Sequence, residues 1–195
     1  MVNLTTQHAK QECVENRIRA RKGDIHELLY KNESFDLIVA IGVIPWLHDL
    51  PKALMEIART VCPNGYVVLT IDNAIRLTTL LDPLTFPVFI IIKNWGRHKL
   101  QRARTAALKT EESVPSYNQH SPIKFDAFLH KSGLIKIKSG SIGFGPFTFM
   151  SHPLFSEKVG IKINSMLQDY ANSGNPVLRL TGSHYIILAR KYVRD

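Results

Sequence analysis

Cysteine is scarce: Cys13 and Cys62 are the only two among 195 residues. That is far below the density of a disulfide-stapled secreted domain, and neither has a metal-ligand partner at a useful spacing. The eight histidines (His8, His26, His48, His98, His120, His130, His152 and His184) are scattered, no two within four residues, so no metal site is expected. Long apolar runs are also missing. No stretch approaches the roughly 18 residues of a spanning helix, and residues 1–8 lack the basic-then-apolar layout of a signal peptide. Together these absences predict a cytoplasmic protein in a reducing compartment. There is no Walker-type loop, no G-x-G-x-x-G after a strand and no G-x-S-x-G elbow. The sole Gly-x-Gly, Gly143-Phe144-Gly145, precedes Pro146 rather than a helix. Repeats and low-complexity tracts are absent, which excludes solenoids and intrinsic disorder.

Acid is short relative to base. The 16 Asp+Glu against 25 Lys+Arg leave a formal charge of +9, which favours an anionic partner such as nucleic acid, a phospholipid surface or an acidic cofactor. Six of the bases, Lys93, Arg97, Lys99, Arg102, Arg104 and Lys109, follow one another with no acid between them, just after the apolar Phe86, Val88, Phe89, Ile90, Ile91 and Ile92. This 84–109 segment reads either as a lid that touches a membrane surface or lipid-like acceptor, or as a solvated helix whose apolar side covers the sheet. Trp95 is the only aromatic in the basic stretch, so no nucleic-acid partner is expected. With 45% hydrophobic residues the chain is long enough for a sizeable core, and one domain over 1–195 is expected.

The order of elements points to an α/β fold. A surface helix over about 1–15 leads into a short strand at 17–21 that ends at Gly23-Asp24. The run Phe-Asp-Leu-Ile-Val-Ala-Ile-Gly-Val at 35–43 predicts a parallel strand covered on both faces. Asp49 then caps a helix carrying Ala53, Leu54, Ile57, Ala58 and Val61, stopped by Pro63-Asn64-Gly65. A buried strand at 66–71 follows. Strand, helix, strand in this order implies a right-handed crossover and a parallel sheet. Residues 74–116 break the alternation and read as an insertion. A helix at 122–131, a glycine-bent strand at 134–149, a helix at 157–171 and a last strand at 183–192 complete the pattern, the last two strands forming an antiparallel hairpin at the sheet edge.

Ligands of open α/β sheets sit at the carboxyl ends of strands. The residues to weigh are therefore Gly23-Asp24-Ile25, Ile41-Gly42-Val43 and Ile71-Asp72-Asn73. Asp24 has the chemistry to accept from an exocyclic amine or ribose hydroxyls, or else it merely caps a turn. Gly42 permits close backbone approach.

Four segments, Gly23-Asp24-Ile25-His26-Glu27-Leu28, then 33–40, Ala53-Leu54-Met55-Glu56-Ile57-Ala58-Arg59, and Pro63-Asn64-Gly65-Tyr66-Val67-Val68-Leu69-Thr70, resemble in order and spacing the class I S-adenosylmethionine-dependent methyltransferases of the UbiE-like, type 11 group. The resemblance is strong over residues 1–73 and resumes in element order from about residue 117. It implies a Rossmann-like sheet, mostly parallel with an antiparallel C-terminal hairpin, and S-adenosylmethionine as cofactor. It implies that Asp24, after Gly23, receives the adenine amino group, that the Ile25 backbone meets the ring edge, and that Ile41 and Gly42 line the methionine side. Trp46 flanks cofactor or substrate, or is a packed corner aromatic. His120 is the candidate acceptor-side base, since an imidazole titrates near neutrality, and Tyr117 is placed to orient a small-molecule acceptor. Methyl transfer is an in-line displacement that demands positioning more than a triad.

The family opens with a strand, a D-x-G-x-G-x-G loop, a helix and a second strand ending in an acid. No such segment occurs in this sequence. Aligned to the family, Met1 falls at the start of the following helix, so the first two strands have no counterpart. In the family's strand order, 3-2-1-4-5-7-6, the gap falls in mid-sheet. A longer gene product, re-pairing of the third and fourth strands, or a second chain would each answer it. The functional expectation is methyl transfer to a small, hydrophobic, quinone- or lipid-like acceptor; the alternative is a non-catalytic remnant acting through protein or membrane contacts.

Overall fold

A computed structural model describes residues 2–82, 117–150 and 152–192. The elements are α1 (Val2–Gln11), β1 (Phe35–Ala40), a 3-10 turn (Ile44–Trp46), α2 (Leu50–Thr60), β2 (Val61–Asp72), α3 (Leu77–Leu81), α4 (Pro122–Lys131), β3 (Leu134–Ile142), β4 (Thr148–Phe149), β5 (His152–Pro153), α5 (Glu157–Asn172), α6 (Leu178–Thr181) and β6 (His184–Lys191). Four strands form one sheet in the order β1-β2-β6-β3; β4 and β5 pair separately. β1 and β2 are parallel, while β6 runs antiparallel to both β2 and β3. Three of the four strands therefore share a direction, and the reversed one lies inside the sheet rather than at its edge.

The α2 start follows the expected chemistry. The Asp49 carboxylate accepts from the Lys52 backbone N–H at 3.0 Å, and Pro51 occupies the first turn, where no N–H is needed. Ser121 caps α4 in the same way, with Pro122 following it. Ala53, Leu54 and Ile57 of α2 and Phe125 and Leu129 of α4 pack with Leu69, Ile71, Tyr185 and Ile187 of the sheet into one buried cluster. This is the main core, on one face of the sheet.

Four expectations are corrected. Residues 17–21 form no strand: a strand needs a ladder partner for its backbone groups, and none of the described strands pairs with it. The third and fourth strands of the family pattern therefore do not re-pair. The turn further on, over residues 28–32, is held by side chains. Glu56 accepts from the Leu28 N–H at 2.9 Å, and Arg59 donates to the Leu28, Tyr30 and Asn32 oxygens. The Arg59 guanidinium, hydrogen-bonded to Glu56, pulls that carboxyl down to about 2. Second, α2 ends at Thr60, and Pro63-Asn64-Gly65 lie within β2. Gly65 is required where β1 and β2 close up, because a Cβ there would stand 3.0 Å from the Asp36 carbonyl oxygen and 2.9 Å from that of Cys62. Third, the strand expected over 134–149 stops at Ile142, since Gly143 turns at φ +77°.

Fourth, β1 is not covered on both faces. Leu37, Val39 and Ile41 are 55%, 53% and 67% exposed. They share a sheet face with Tyr66 and Val68, their register partners' side, while Val67, Leu69 and Ile71 point into the core. On that second face α5 and α6 lie against β3, and among the described residues no element covers the β1 end. Among the described residues the outer edge of β1 has no partner, and an apolar open edge is a template for association. Replacing Leu37 and Val39 by lysine is expected to lower concentration-dependent self-association in sedimentation velocity while leaving α2 packing intact. Unchanged sedimentation would show that this edge is already protected.

Of the expected insertion, residues 83–116 lie outside the described residues, and with them the whole 84–109 segment. No described helix is long and apolar enough to cross a membrane. Among the described residues no group of three or more His, Cys, Asp or Glu is close enough to hold a metal.

Candidate active site at the carboxyl rim of the sheet

Parallel β1 and β2 end together, so their C-terminal residues form a rim, and β6 starts at the same rim because it runs the other way. Gly42 follows β1 with φ +70° and has no heavy atom within 4 Å of where a Cβ would stand. Its N–H donates to the Thr70 hydroxyl of β2 at 2.8 Å. That bond fixes the turn and leaves an open approach to the main chain, as a ligand-binding glycine requires. Ile41 beside it is exposed.

Asp24 is in a local turn. Its Oδ1 accepts from the His26 N–H at 2.9 Å and from His26 Nδ1 at 2.7 Å. The backbone N–H of His26, and then its ring, hold the Asp24 carboxyl below its ordinary range. The buried His26 also meets the His48 ring at 3.8 Å and its Nε2 lies 3.4 Å from the Asp49 N–H, so Asp24 is tied through His26 to the α2 cap. The Asp24 side chain remains 65% exposed, a carboxylate that still faces solvent. Gly23, Asp24 and half-buried Ile25 line a cavity of about 290 Å³ with Arg21, Leu28 and Tyr30. Neither Ile41, Gly42 nor Trp46 lines it, so the sequence-predicted residues fall into two groups, one in the 23–30 turn and one at the rim.

The second group is denser than expected. Asn118 donates its N–H to the Pro45 carbonyl at 2.7 Å and its side chain to the Leu47 carbonyl at 2.9 Å. The 117–120 segment is thus tied to the turn after β1. Exposed Trp46 meets Tyr117 edge-on at 5.2 Å, and the Tyr117 hydroxyl donates to Asp72 Oδ2. Asp72 Oδ1 accepts from His184 Nδ1 at 2.8 Å, and the Arg76 guanidinium stands 3.6 Å from Oδ2. The Asp72 side chain is only 15% exposed. His120 N–H donates to the Asp72 carbonyl, and its own carbonyl accepts from Ala74. Its ring is less available than its position suggests: Nε2 is buried with no hydrogen-bond partner among the described residues, and burial lowers its pKa. Sequence reasoning singled out Asp72 only as a strand terminus, and His184 and Arg76 not at all. The signal for His184 was its place at the start of the last strand, legible only with that strand's direction.

The order β1-β2-β6-β3, with β6 reversed between β2 and β3, corresponds to the 4-5-7-6 half of the class I methyltransferase sheet. Geranyl diphosphate C-methyltransferase from Streptomyces coelicolor A3(2) superimposes with a TM-score of 0.53 at 12% identity, over 98% of this chain and 61% of its own. In sequence, residues 1–69 match the family described as "Methyltransferase domain". Two relatives are malonyl-[acyl-carrier protein] O-methyltransferases. The one from Halorhodospira halophila is 38% identical over 52 residues, 27% of this chain and 18% of its own length. The one from Erwinia billingiae is 33% identical over 86 residues, 39% of this chain and 34% of its own. The chain thus matches about a third or less of the length of these curated relatives. The resemblance to S-adenosylmethionine-dependent class I methyltransferases holds, by sequence over the first third and by fold over nearly the whole chain.

The residues present fit part of such a cofactor. Asp24 offers a solvent-facing carboxylate able to accept from an amine, and the Gly42 backbone is open to close approach by a ligand.

Proposed function

We propose that this protein takes part in S-adenosylmethionine-dependent methyl transfer to a small, hydrophobic acceptor, quinone- or lipid-like, with oxygen as the accepting atom. The observation that carries the reading is the methyltransferase-domain match of residues 1–69, which includes both Asp24 and Gly42. The O-methyltransferase names of the two curated relatives support oxygen. Asp24 and the Ile25 backbone hold the adenine end, Ile41 and Gly42 the methionine side, and Trp46 with Tyr117 offers aromatic surface to the acceptor. Bound cofactor supplies an electrophilic methyl on sulfur; the chain's part is to orient the acceptor in line with it and keep water away.

A second reading, a non-catalytic remnant that acts through protein contacts, is favoured by the bare sheet face and open edge at β1. Calorimetric titration with S-adenosylmethionine separates the two. Binding tighter than about 1 mM is expected, weakened about tenfold by Asp24→Asn through loss of a charge-assisted hydrogen bond. No heat of binding at that concentration establishes the remnant.

A further inference from the structure

The chemistry at the rim exceeds what binding needs. Asp72 ends β2 and faces His184 directly across the ladder, the two being register partners. The largely buried carboxylate holds His184 Nδ1 at 2.8 Å, while the His184 side chain is 50% exposed. Nε2 has no partner among the described residues. A carboxylate on one ring nitrogen fixes the tautomer and leaves the other as a lone-pair base, the arrangement by which a general base is held ready. The Asp72 carboxylate is also met by Arg76, just beyond β2, and by the Tyr117 hydroxyl from the 117–120 segment. Tyr117 carries the array on to Trp46. Thr70, which holds the Gly42 N–H, lies two residues before Asp72 and hence on the same face of β2. The open glycine and the His184 base therefore flank one stretch of rim.

We propose that the Asp72–His184 pair is the proton-accepting element of this site and that its acceptor is a hydroxyl compound, phenolic or enolic, rather than a carboxylate. The inference rests on the methyl-transfer reading above. His184 Nε2 takes the acceptor's O–H proton. The acceptor oxygen forms its bond to the methyl carbon as the carbon–sulfur bond breaks, and that electron pair stays on sulfur, cancelling its positive charge. The proton leaves His184 to solvent, so one neutral hydroxyl compound and one sulfonium become one methyl ether, one thioether and one proton. A carboxylate acceptor has no proton to give and would make the pair redundant. Asp72 is the positioning residue, and the flat Trp46 and Tyr117 rings suit a planar acceptor.

Two measurements on the full 195-residue chain test this. In ¹⁵N NMR of histidine-labelled protein, neutral His184 is expected to carry its proton on Nδ1; a proton found on Nε2 overturns the proposal whether or not cofactor binds. In methyl transfer from S-adenosylmethionine to catechol, with octanoate as the carboxylate probe, the wild type is expected to use catechol. His184→Gln should lower kcat about 100-fold, the scale of a lost general base, with KM for catechol within about threefold of wild type and the rise of kcat with pH abolished. Wild-type transfer to octanoate alone or to neither probe, or a His184→Gln enzyme with unchanged kcat, overturns it. Failure of the wild type to bind S-adenosylmethionine in calorimetry instead removes the underlying reading, and the tautomer still decides the pair.

Discussion

Asn73→Ala is expected to destabilise the chain by about 3 kcal/mol, the cost of several buried polar groups left unpaired. Asn73 is fully buried at the end of β2. Its Nδ2 donates to the Leu180 carbonyl at 2.7 Å and the Gly182 carbonyl at 2.9 Å, and its Oδ1 accepts from the Ile75 N–H at 2.8 Å. One side chain thus joins the β2 terminus to the α6–β6 connection more than a hundred residues away. Alanine strands two carbonyls and an N–H together. Chemical denaturation reads the loss, and a change under about 0.5 kcal/mol would mean that water replaces the amide. Asn73→Asp, equal in size, isolates the donor role. It keeps the acceptor for Ile75 but aims a carboxylate at two carbonyl oxygens, so its folded-state pKa must rise. A raised carboxyl pKa means the unfolded state gives up its proton first; stability is lost as pH rises above about 4 and regained on acidification. Urea midpoints measured from pH 4 to 8 should therefore fall for Asn73→Asp relative to wild type. A flat difference would place the defect in packing.

Gly182→Ala should cost about as much for a different reason, roughly 2–3 kcal/mol from overpacking. Its backbone, φ −68° and ψ 164°, suits any residue, so no conformational strain is involved. The added Cβ would lie 2.6 Å from the Ser141 Cβ and 3.1 Å from both the nitrogen and the oxygen of Ile142, and backbone at such a distance cannot swing aside. The β3–β6 connection must spread, which also draws the Gly182 carbonyl from Asn73. Gly140→Ala in β3 is the control, since nothing lies within 4 Å of its Cβ position; its effect should stay within about 0.5 kcal/mol. Equal losses in the two variants would defeat the contact argument.

Both substitutions bear on the rim as well as on stability. Asn73 adjoins Asp72, and Gly182 lies two residues before His184, so the scaffold that holds the proposed base is the one that closes β6 against β2. The two variants are therefore poor probes of chemistry, whereas His184→Gln, half-exposed and away from the core, leaves that scaffold in place.

Much of the architecture was legible in the chain itself. Asp49, with Pro51 in the first turn, marked the start of α2, because an N-cap acceptor and a residue without an N–H are both local requirements. The β-rich runs around Val39 and Leu69 marked adjacent parallel strands, since apolar continuity and a helix between them leave one economical pairing. Gly42 was legible as a turn glycine at the end of β1, and its backbone has a φ of +70° with open space around it. The strand expected at 17–21 failed for a reason no local pattern reveals: alternating residues make a strand only when another chain segment accepts their hydrogen bonds. The cover expected over Leu37 and Val39 failed likewise, because burial belongs to what packs on a strand and not to the strand.

The sequence by itself determined the class of fold, the helices α2 and α4, the reversed last strand and the resemblance to methyltransferases, all of which rest on local spacing and composition. Only the tertiary structure decided that His120 lies with its Nε2 buried while His184 meets Asp72, and that Tyr117 closes onto the same carboxylate. Those contacts join residues 72, 117 and 184, and their meeting depends on the direction of β6 and its register against β2. Direction and register are set by the whole sheet, through the hydrogen bonds and burial that no single segment carries.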